Sequence, residues 1–330
     1  MEIKLERYRD NPILLPTKNS WENKVVFNCG ATIFKDRVAL LYRAQGDDGI
    51  SRLGLAFSDD GYQITERLPE PVFEPDSDTE YEALGVEDPR ISKIGDSYYI
   101  TYTAASFYPS ITGHGPERRP SGEMPWRVRV SLAHTEDFQT FTRHGVIISH
   151  IDSKDGVLFP GRAHGKMMLL HRVIPDIRLA IAEEIHSFKE RGPVLWPSGK
   201  GWDAVRVGAG APPIKTPYGW VLIYHGVSED NSYSLGLALL DPEDPLNVLT
   251  RSQEPILSPE SRYEKHGQVS SVVFCCGAVE KGDELLVYYG AADSTVGVAS
   301  IPFSRIVEWA KFHYERVANR DSITKPKLNI

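Results

Sequence analysis

The chain has 330 residues, 37 of them basic and 45 acidic, for a formal net charge of −8. That balance argues against a broad nucleic-acid or anionic-membrane surface, both of which need excess lysine and arginine, but leaves room for a local cationic pocket. Cys29, Cys275 and Cys276 form neither a disulfide framework nor a zinc-ligand pattern, the N-terminus has no secretory signature, and no apolar run reaches the ~18 residues of a membrane helix, so a reducing cytoplasm is the expected compartment.

In chain order, short β-rich runs separated by Gly, Pro, Asp and Asn turns dominate, and helical periodicity is nearly absent. An apolar triplet opens each of five similar stretches: Pro12-Ile13-Leu14, Pro71-Val72-Phe73, Val146-Ile147-Ile148, Pro193-Val194-Leu195 and Pro255-Ile256-Leu257. A very apolar strand follows in each: Val38–Tyr42, Tyr98–Tyr102, Met167–His171, Trp220–Tyr224 and Leu285–Tyr289. A third strand closes each copy: Arg52–Ala56, Val128–Ala133, Arg178–Ala182, Ser234–Ala238 and Val296–Ala299. Five copies of a three-to-four-strand unit predict an all-β fold, a five-bladed β-propeller in which each small antiparallel sheet is covered by its neighbours. A two-sheet sandwich is the structural alternative, but it would not produce five matched copies. The expected blades run over about 11–65, 66–143, 144–190, 191–250 and 251–303 of one domain spanning 1–330.

Two segments interrupt the pattern. A Pro/Gly-rich insertion from Phe107 to Trp126, with His114, Glu117, Arg118 and Arg119, has the length of a functional loop and is expected to cover the channel mouth. Near the C-terminus, Ile306, Trp309, Phe312 and Tyr314 have helical spacing, which predicts a short helix over 304–317. That helix is expected to pack on the propeller rim or on a neighbouring subunit, the latter making a homo-oligomer.

In a propeller the innermost strands line a central channel, and polar residues at equivalent repeat positions converge on one axial pocket. Asn28, Asp88, Lys154 and Arg206 precede the second strands, Arg43, Arg172 and His225 follow their apolar runs, and Asp293 follows the last. Asp88 lies in Gly85-Val86-Glu87-Asp88-Pro89-Arg90, where proline forces extended backbone on its neighbour. An Asx-type turn is the alternative role for that aspartate. Lys154, Arg172, Arg206 and His225 aimed at one pocket would repel one another unless fixed carboxylates or a bound oxyanion such as phosphate compensated them. Separate surface ion pairs would serve equally.

Val86-Glu87-Asp88-Pro89-Arg90, Asp155-Gly156-Val157-Leu158-Phe159-Pro160, Val207-Gly208-Ala209-Gly210-Ala211-Pro212-Pro213, Ile223-Tyr224-His225-Gly226 and Tyr289-Gly290-Ala291-Ala292-Asp293 resemble, in order, motifs of glycoside hydrolase family 130. The resemblance runs from about Asn11 to Trp309. It implies a mannoside phosphorylase on a five-bladed propeller, with Asp88 as the single catalytic acid. Asn28, Arg43 and Asp293 match sugar-binding positions, and Lys154, Arg172, Arg206 and His225 match the phosphate site. The family pattern has arginine where this chain has Lys154, lysine where it has Arg206, and often serine where it has Cys29. The first two swaps keep charge but change bidentate geometry.

The implied reaction is reversible, inverting phosphorolysis of a β-mannoside to α-mannose 1-phosphate and a shortened acceptor. Phosphate is itself a nucleophile, so a cationic clamp replaces the second carboxylate that an inverting hydrolase needs. A raised pKa would suit Asp88 as proton donor, and relatives are thought to pass its proton through a sugar hydroxyl. No metal or organic cofactor is implied, and the expected partners are a β-mannooligosaccharide and phosphate, not nucleic acid or membrane. Tyr108, Trp126 and Tyr218 would either stack on sugar rings or pack the rim. One rival reading is a β-mannosidase using water, with Glu229 or Glu264 as its base. Another is an arabinanase-like enzyme, which needs three channel carboxylates. A third is a sugar-binding propeller without turnover. β-1,2 and β-1,4 linkages remain equally open.

Overall fold

The computed structural model describes residues 2–108, 126–163 and 165–324. The insertion residues His114, Glu117, Arg118 and Arg119 therefore lie outside the described residues. The chain is all-β with a C-terminal helix. After the two-residue strand β1 (Glu6–Arg7), antiparallel strands follow in five sets. The first is β2 (Val25–Phe34), β3 (Arg37–Gln45), β4 (Ser51–Ser58) and β5 (Ile64–Arg67). The second is β6 (Gly85–Ile94), β7 (Ser97–Phe107), β8 (Trp126–Thr135) and β9 (Thr142–Ile148). The third is β10 (Lys154–Ala163), β11 (Lys166–Val173), β12 (Asp176–Ala182) and β13 (Lys189–Leu195).

The fourth set is β14 (Arg206–Ala209), β15 (Ile214–Thr216), β16 (Gly219–Val227), β17 (Tyr233–Leu240) and β18 (Val248–Arg251). Both β14 and β15 pair with β16, so its inner strand is interrupted at Gly210-Ala211-Pro212-Pro213, where two prolines withdraw ladder donors. Helix α1 (Arg262–Lys265) precedes the fifth set, β19 (Val273–Lys281), β20 (Glu284–Ala291) and β21 (Thr295–Pro302), and helix α2 (Phe303–Thr324) ends the described chain. The fifth set takes its outer strand from the other end of the chain, because β1 pairs with β21 as Glu6↔Ser300 and Arg7↔Ala299. The first two sets join through one parallel pair, Ser51↔Gly85.

Each recurring triplet closes the outer edge of a set. Val146–Ile148 lies in β9, Pro193–Leu195 lies in β13, and Phe73, Leu257 and Leu14 bridge to Leu53, Leu235 and Val296. Apolar clusters fill the spaces between consecutive sets. Leu41, Leu55 and Tyr102 join the first to the second, and Val130, Leu158 and Leu169 join the second to the third. Leu170, Leu222 and Tyr224 join the third to the fourth, and Val221, Leu237 and Val287 join the fourth to the fifth. Leu40, Tyr42 and Leu286 join the fifth back to the first. Burial of such residues is the main stabilising term, worth about 1.5–3 kcal/mol for each large side chain.

A buried polar triad recurs beside these clusters. A tyrosine within the second strand donates to a buried carboxylate, which an arginine of the outermost strand also meets. The triads are Tyr42–Glu22–Arg67, Tyr102–Glu82–Arg143, Tyr224–Asp203–Arg251 and Tyr289–Glu264–Arg7, with tyrosine-to-carboxylate distances of 2.9, 2.7, 2.9 and 2.9 Å. Each carboxylate is therefore hydrogen-bonded and charge-paired, which an acid so buried requires. Helix α2 extends past the expected residue 317 and packs Ile306, Trp309 and Ala310 inward against β16, β18 and β21, leaving Phe312 and Tyr314 partly exposed. No described helix is long and apolar enough to cross a membrane.

Candidate active site

The inner strands of the first three sets break register between Phe27 and Gly30, between Glu87 and Arg90, and between Lys154 and Val157, the third also between Leu158 and Arg162. At these bulges Asn28, Asp88 and Asp155 have φ of 46°, 50° and 54°. Asn and Asp tolerate that left-handed region better than other non-glycine residues, and a bulge re-aims the side chain it carries. Three polar groups are thereby turned out of the ladder at the same place in three successive sheets. Asp293 has φ of 49° in the turn between β20 and β21.

Asn28 Nδ2 donates to Asp88 Oδ1 at 2.9 Å, and Arg43 Nη1 donates to the same oxygen at 3.1 Å. Arg43 Nη2 also donates to Glu87 at 2.7 Å, and its guanidinium lies 4.6 Å from the centre of the Phe27 ring. Gly290 has no side chain because Asn28 occupies that space, with Oδ1 2.0 Å from where a Cβ would stand.

A second cluster adjoins this one. Asp155 Oδ2 lies 3.1 Å from Arg172 Nη1 and 3.5 Å from His225 Nε2, and these two nitrogens are 3.2 Å apart. Arg172 Nε and His225 Nδ1 are buried without a hydrogen-bond partner among the described residues. Such groups are costly unless something binds them, so they mark a place where a ligand gains affinity. Gly208 leaves the required room, since a Cβ there would sit 2.4 Å from His225 Nε2 and 2.5 Å from Asp155 Oδ2. Gly208→Ala is accordingly expected to displace both groups and to lower kcat/KM for the anionic substrate about a hundredfold. Initial rates and a melting curve check this, and an unchanged rate would show that the crowding is harmless.

Arg206 stands one step further out, donating to the Tyr233 hydroxyl at 2.6 Å, while the Tyr233 ring lies 6.0 Å from that of His225. Lys154 opens β10 opposite Arg172 of β11; its side chain makes no hydrogen bond or ion pair to a described residue, and its charge acts on Asp88, Asp155, His225 and Asp293.

The protonation states separate the acids. Burial alone would raise the Asp88 carboxyl, but Arg43, Lys154, Arg90 and the Asn28 amide outweigh it and hold Asp88 below the usual carboxylate range. The raised pKa expected of Asp88 belongs instead to Asp293, which burial and the nearby Asp88 charge push up to about 6. Burial also raises Asp155 in principle, but Arg172, Arg90 and Lys154 keep it firmly ionised. Burial drives His225 down to about 3, so it is neutral at ordinary pH despite Asp155.

A folded-state value near 6 for Asp293 lies above the ~3.9 of an unfolded aspartate, so stability is lost as pH rises from about 4 to about 6. Asp293→Asn is expected to stabilise the free protein by up to about 2–3 kcal/mol at pH 8 and not at pH 4. Melting curves at the two pH values check the sign, and an equal shift at both would refute it.

The remaining candidates separate clearly. Glu264 has both oxygens engaged, by Arg7, Tyr289 and the backbone N–H groups of Glu260 and Ser261, and Glu229 is exposed in a turn, so neither is free to activate water at these clusters. Tyr218 packs at 6.0 Å from Tyr314 of α2, which makes it a rim residue. Tyr108 donates to Asp152 at 2.8 Å, and Trp126 is exposed. Sequence reasoning missed Arg90 and Asp155, although both stand in the motif strings. The repeat equivalence of Asp155 with Asn28 and Asp88 was the available signal. All three cysteines are buried and free, and no group of three or more described His, Cys, Asp or Glu side chains could hold a metal ion.

The chain has relatives among known proteins. A family profile described as beta-1,4-mannooligosaccharide phosphorylase, Glyco_hydro_130, matches residues 4–119 and 121–312. The chain belongs to glycoside hydrolase family 130. Within the family it is 41% identical over 313 residues to a 1,2-beta-oligomannan phosphorylase of Thermoanaerobacter sp. (strain X514), covering 92% of this chain and 99% of that one. It is 36% identical over 319 residues to a beta-1,2-mannobiose phosphorylase of the same organism, with the same coverage. The structure of a beta-1,2-mannobiose phosphorylase from Listeria innocua, in complex with beta-1,2-mannobiose, superposes with a TM-score of 0.80 at 29% identity, covering 93% and 99% of the two chains.

Proposed function

We propose that this family 130 enzyme cleaves β-1,2-linked mannosides by inverting phosphorolysis, giving α-mannose 1-phosphate and a shortened acceptor. The β-1,2 names of the relatives at 41% and 36% identity support that linkage over the β-1,4 linkage of the family description. Five sets, four of them four-stranded and the fourth five-stranded, with cyclic apolar interfaces support a five-bladed propeller acting as one catalytic domain, whose ring brings the bulges of successive sheets to one axis.

The observation that carries the reading is the pairing of Asp88 with a buried cluster rich in cations and carrying unpartnered donors. Asp88 is the acid, Asn28, Arg43 and Asp293 hold the mannosyl unit, and Lys154, Arg172, Arg206 and His225 hold phosphate. Phosphate attacks the anomeric carbon on the face opposite the leaving oxygen, the bond to the acceptor breaks, and the proton of Asp88 passes to the acceptor oxygen. Asp88 is ionised in the free site, where Lys154 and Arg90 act on it. A phosphate dianion beside those cations offsets their field and favours the protonated acid, so phosphate both attacks and prepares its proton donor. Phosphate is then a co-substrate, and no other cofactor enters the scheme.

The direct experiment measures mannose 1-phosphate released from β-1,2- and β-1,4-mannobiose with and without inorganic phosphate. Phosphate-dependent release from the β-1,2 isomer is the expected result. Equal release of free mannose without phosphate would replace this reading by hydrolysis, for which Asp293, with its pKa near 6, is the base to test.

A further inference from the structure

Between Asp88 and the Arg172–His225 pair runs a chain of contacts with no exposure to solvent, since Arg90 and Asp155 are both 0% exposed. Arg90 Nη1 donates to the Asp88 carbonyl at 3.0 Å, and its Nε donates to the Gly210 carbonyl at 3.3 Å. Nη2 donates to the Ala209 carbonyl and to Asp155 Oδ1, both at 3.3 Å. The guanidinium also lies 5.5 Å from the centre of the Phe274 ring. The second oxygen of Asp155 faces Arg172 and His225. One side chain therefore joins the Asp88 bulge of the second set to the Asp155 bulge of the third, to carbonyls of the fourth and to an aromatic ring of the fifth.

A buried ion pair contributes little net stability, because desolvation offsets the attraction. What this pair supplies is direction. Arginine has a planar fork of donors, and here that fork is fixed on four oxygens at once. Asp155 in turn forms an ion pair with Nη1 of Arg172, whose buried Nε has no partner among the described residues. The acid and the anion-binding groups come from different sheets, and reacting groups lose rate when their separation drifts by ~1 Å.

We infer that Arg90 and Asp155 are positioning residues that lock the Asp88 carboxyl and the Arg172–His225 pair into one rigid unit, so that an inorganic phosphate held by the pair stands at a fixed distance and angle from the acid. The consequence for rate rests on the phosphorolytic reading, whereas the consequence for anion binding does not.

Two variants and two readouts test it. Asp155→Asn keeps the shape and removes the charge, and Arg90→Lys keeps the charge and removes the fork. The first readout is the rise in melting temperature on adding inorganic phosphate, which needs no turnover. The second is initial rate over a grid of β-1,2-mannobiose and phosphate concentrations. Asp155→Asn is expected to diminish the phosphate-induced rise and to increase KM for phosphate about tenfold to a hundredfold, the range of one lost charge-assisted hydrogen bond. KM for mannobiose should stay within about twofold.

Arg90→Lys is expected to lower kcat, and the double variant should be little worse than the worse single one, as for groups acting as one unit. A lower melting temperature with an unchanged phosphate response and unchanged KM for phosphate would reduce the pair to a structural role and overturn the inference. Independent, multiplying losses would overturn it as well. Should Arg90→Lys fail to fold, Asp155→Asn decides alone. Wild-type protein that responds to phosphate in melting but shows no phosphate-dependent turnover would sink the phosphorolytic reading, and the melting response of Asp155→Asn would still decide the inference.

Discussion

Asp88→Asn is expected to lower kcat about 10²–10⁴-fold, the span that general-acid catalysis contributes, in a protein that still folds but melts somewhat lower at neutral pH, because the site favours the carboxylate. Asparagine keeps what the fold requires of this position. It accepts the left-handed φ of 50° as readily as aspartate, and its side-chain oxygen can still receive Asn28 Nδ2 and Arg43 Nη1. It cannot deliver a proton. A mannoside whose leaving group is stable as an anion needs no such proton and should recover most of the lost rate in the variant. Wild-type turnover in Asp88→Asn would exclude Asp88 as the donor, and a loss shared equally by both substrates would point to misplaced sugar instead.

Arg172→Ala should weaken phosphate use most, with kcat/KM for phosphate falling about 10²–10³-fold, the loss seen when one preorganised donor to a developing charge is removed. The change takes away a charge and a buried unpartnered Nε, and it leaves Asp155 with one arginine where it had two. Arg172→Lys should fall between wild type and alanine, because charge returns without the fork. Rates that still saturate at wild-type phosphate concentrations in Arg172→Ala would place the anion elsewhere.

The sheets were readable because their signal is apolar and periodic. The strands ending at Tyr42, Tyr102, Tyr224 and Tyr289 repeat with their partners, and the triplets ending at Phe73, Ile148 and Leu195 mark outer edges. The polar site was readable only by superposing the copies, which brought Asn28, Asp88, Lys154 and Arg172 into view together. Arg90 and Asp155 escaped because each looks like a loop or strand residue in its own copy, and their contacts cross sheets far apart in sequence. The carboxylates of Glu22, Glu82 and Asp203 were hidden for the same reason, as each meets its tyrosine and arginine only in three dimensions. Protonation was the least accessible, because the order of Asp88 and Asp293 depends on which cations the fold brings close.

The pairing of Glu6 with Ser300 has a kinetic meaning. It ties into one loop nearly everything between the first strand and the last, and closing a loop of that size costs about 5 kcal/mol of chain entropy. The Arg7 contacts with Glu264 and the bridge from Leu14 to Val296 must outweigh that cost before the fifth sheet has its outer strand. Contacts this distant in sequence slow folding. The clasp of β1 on β21 is therefore expected to form slowly beside the local pairings of consecutive strands within each sheet.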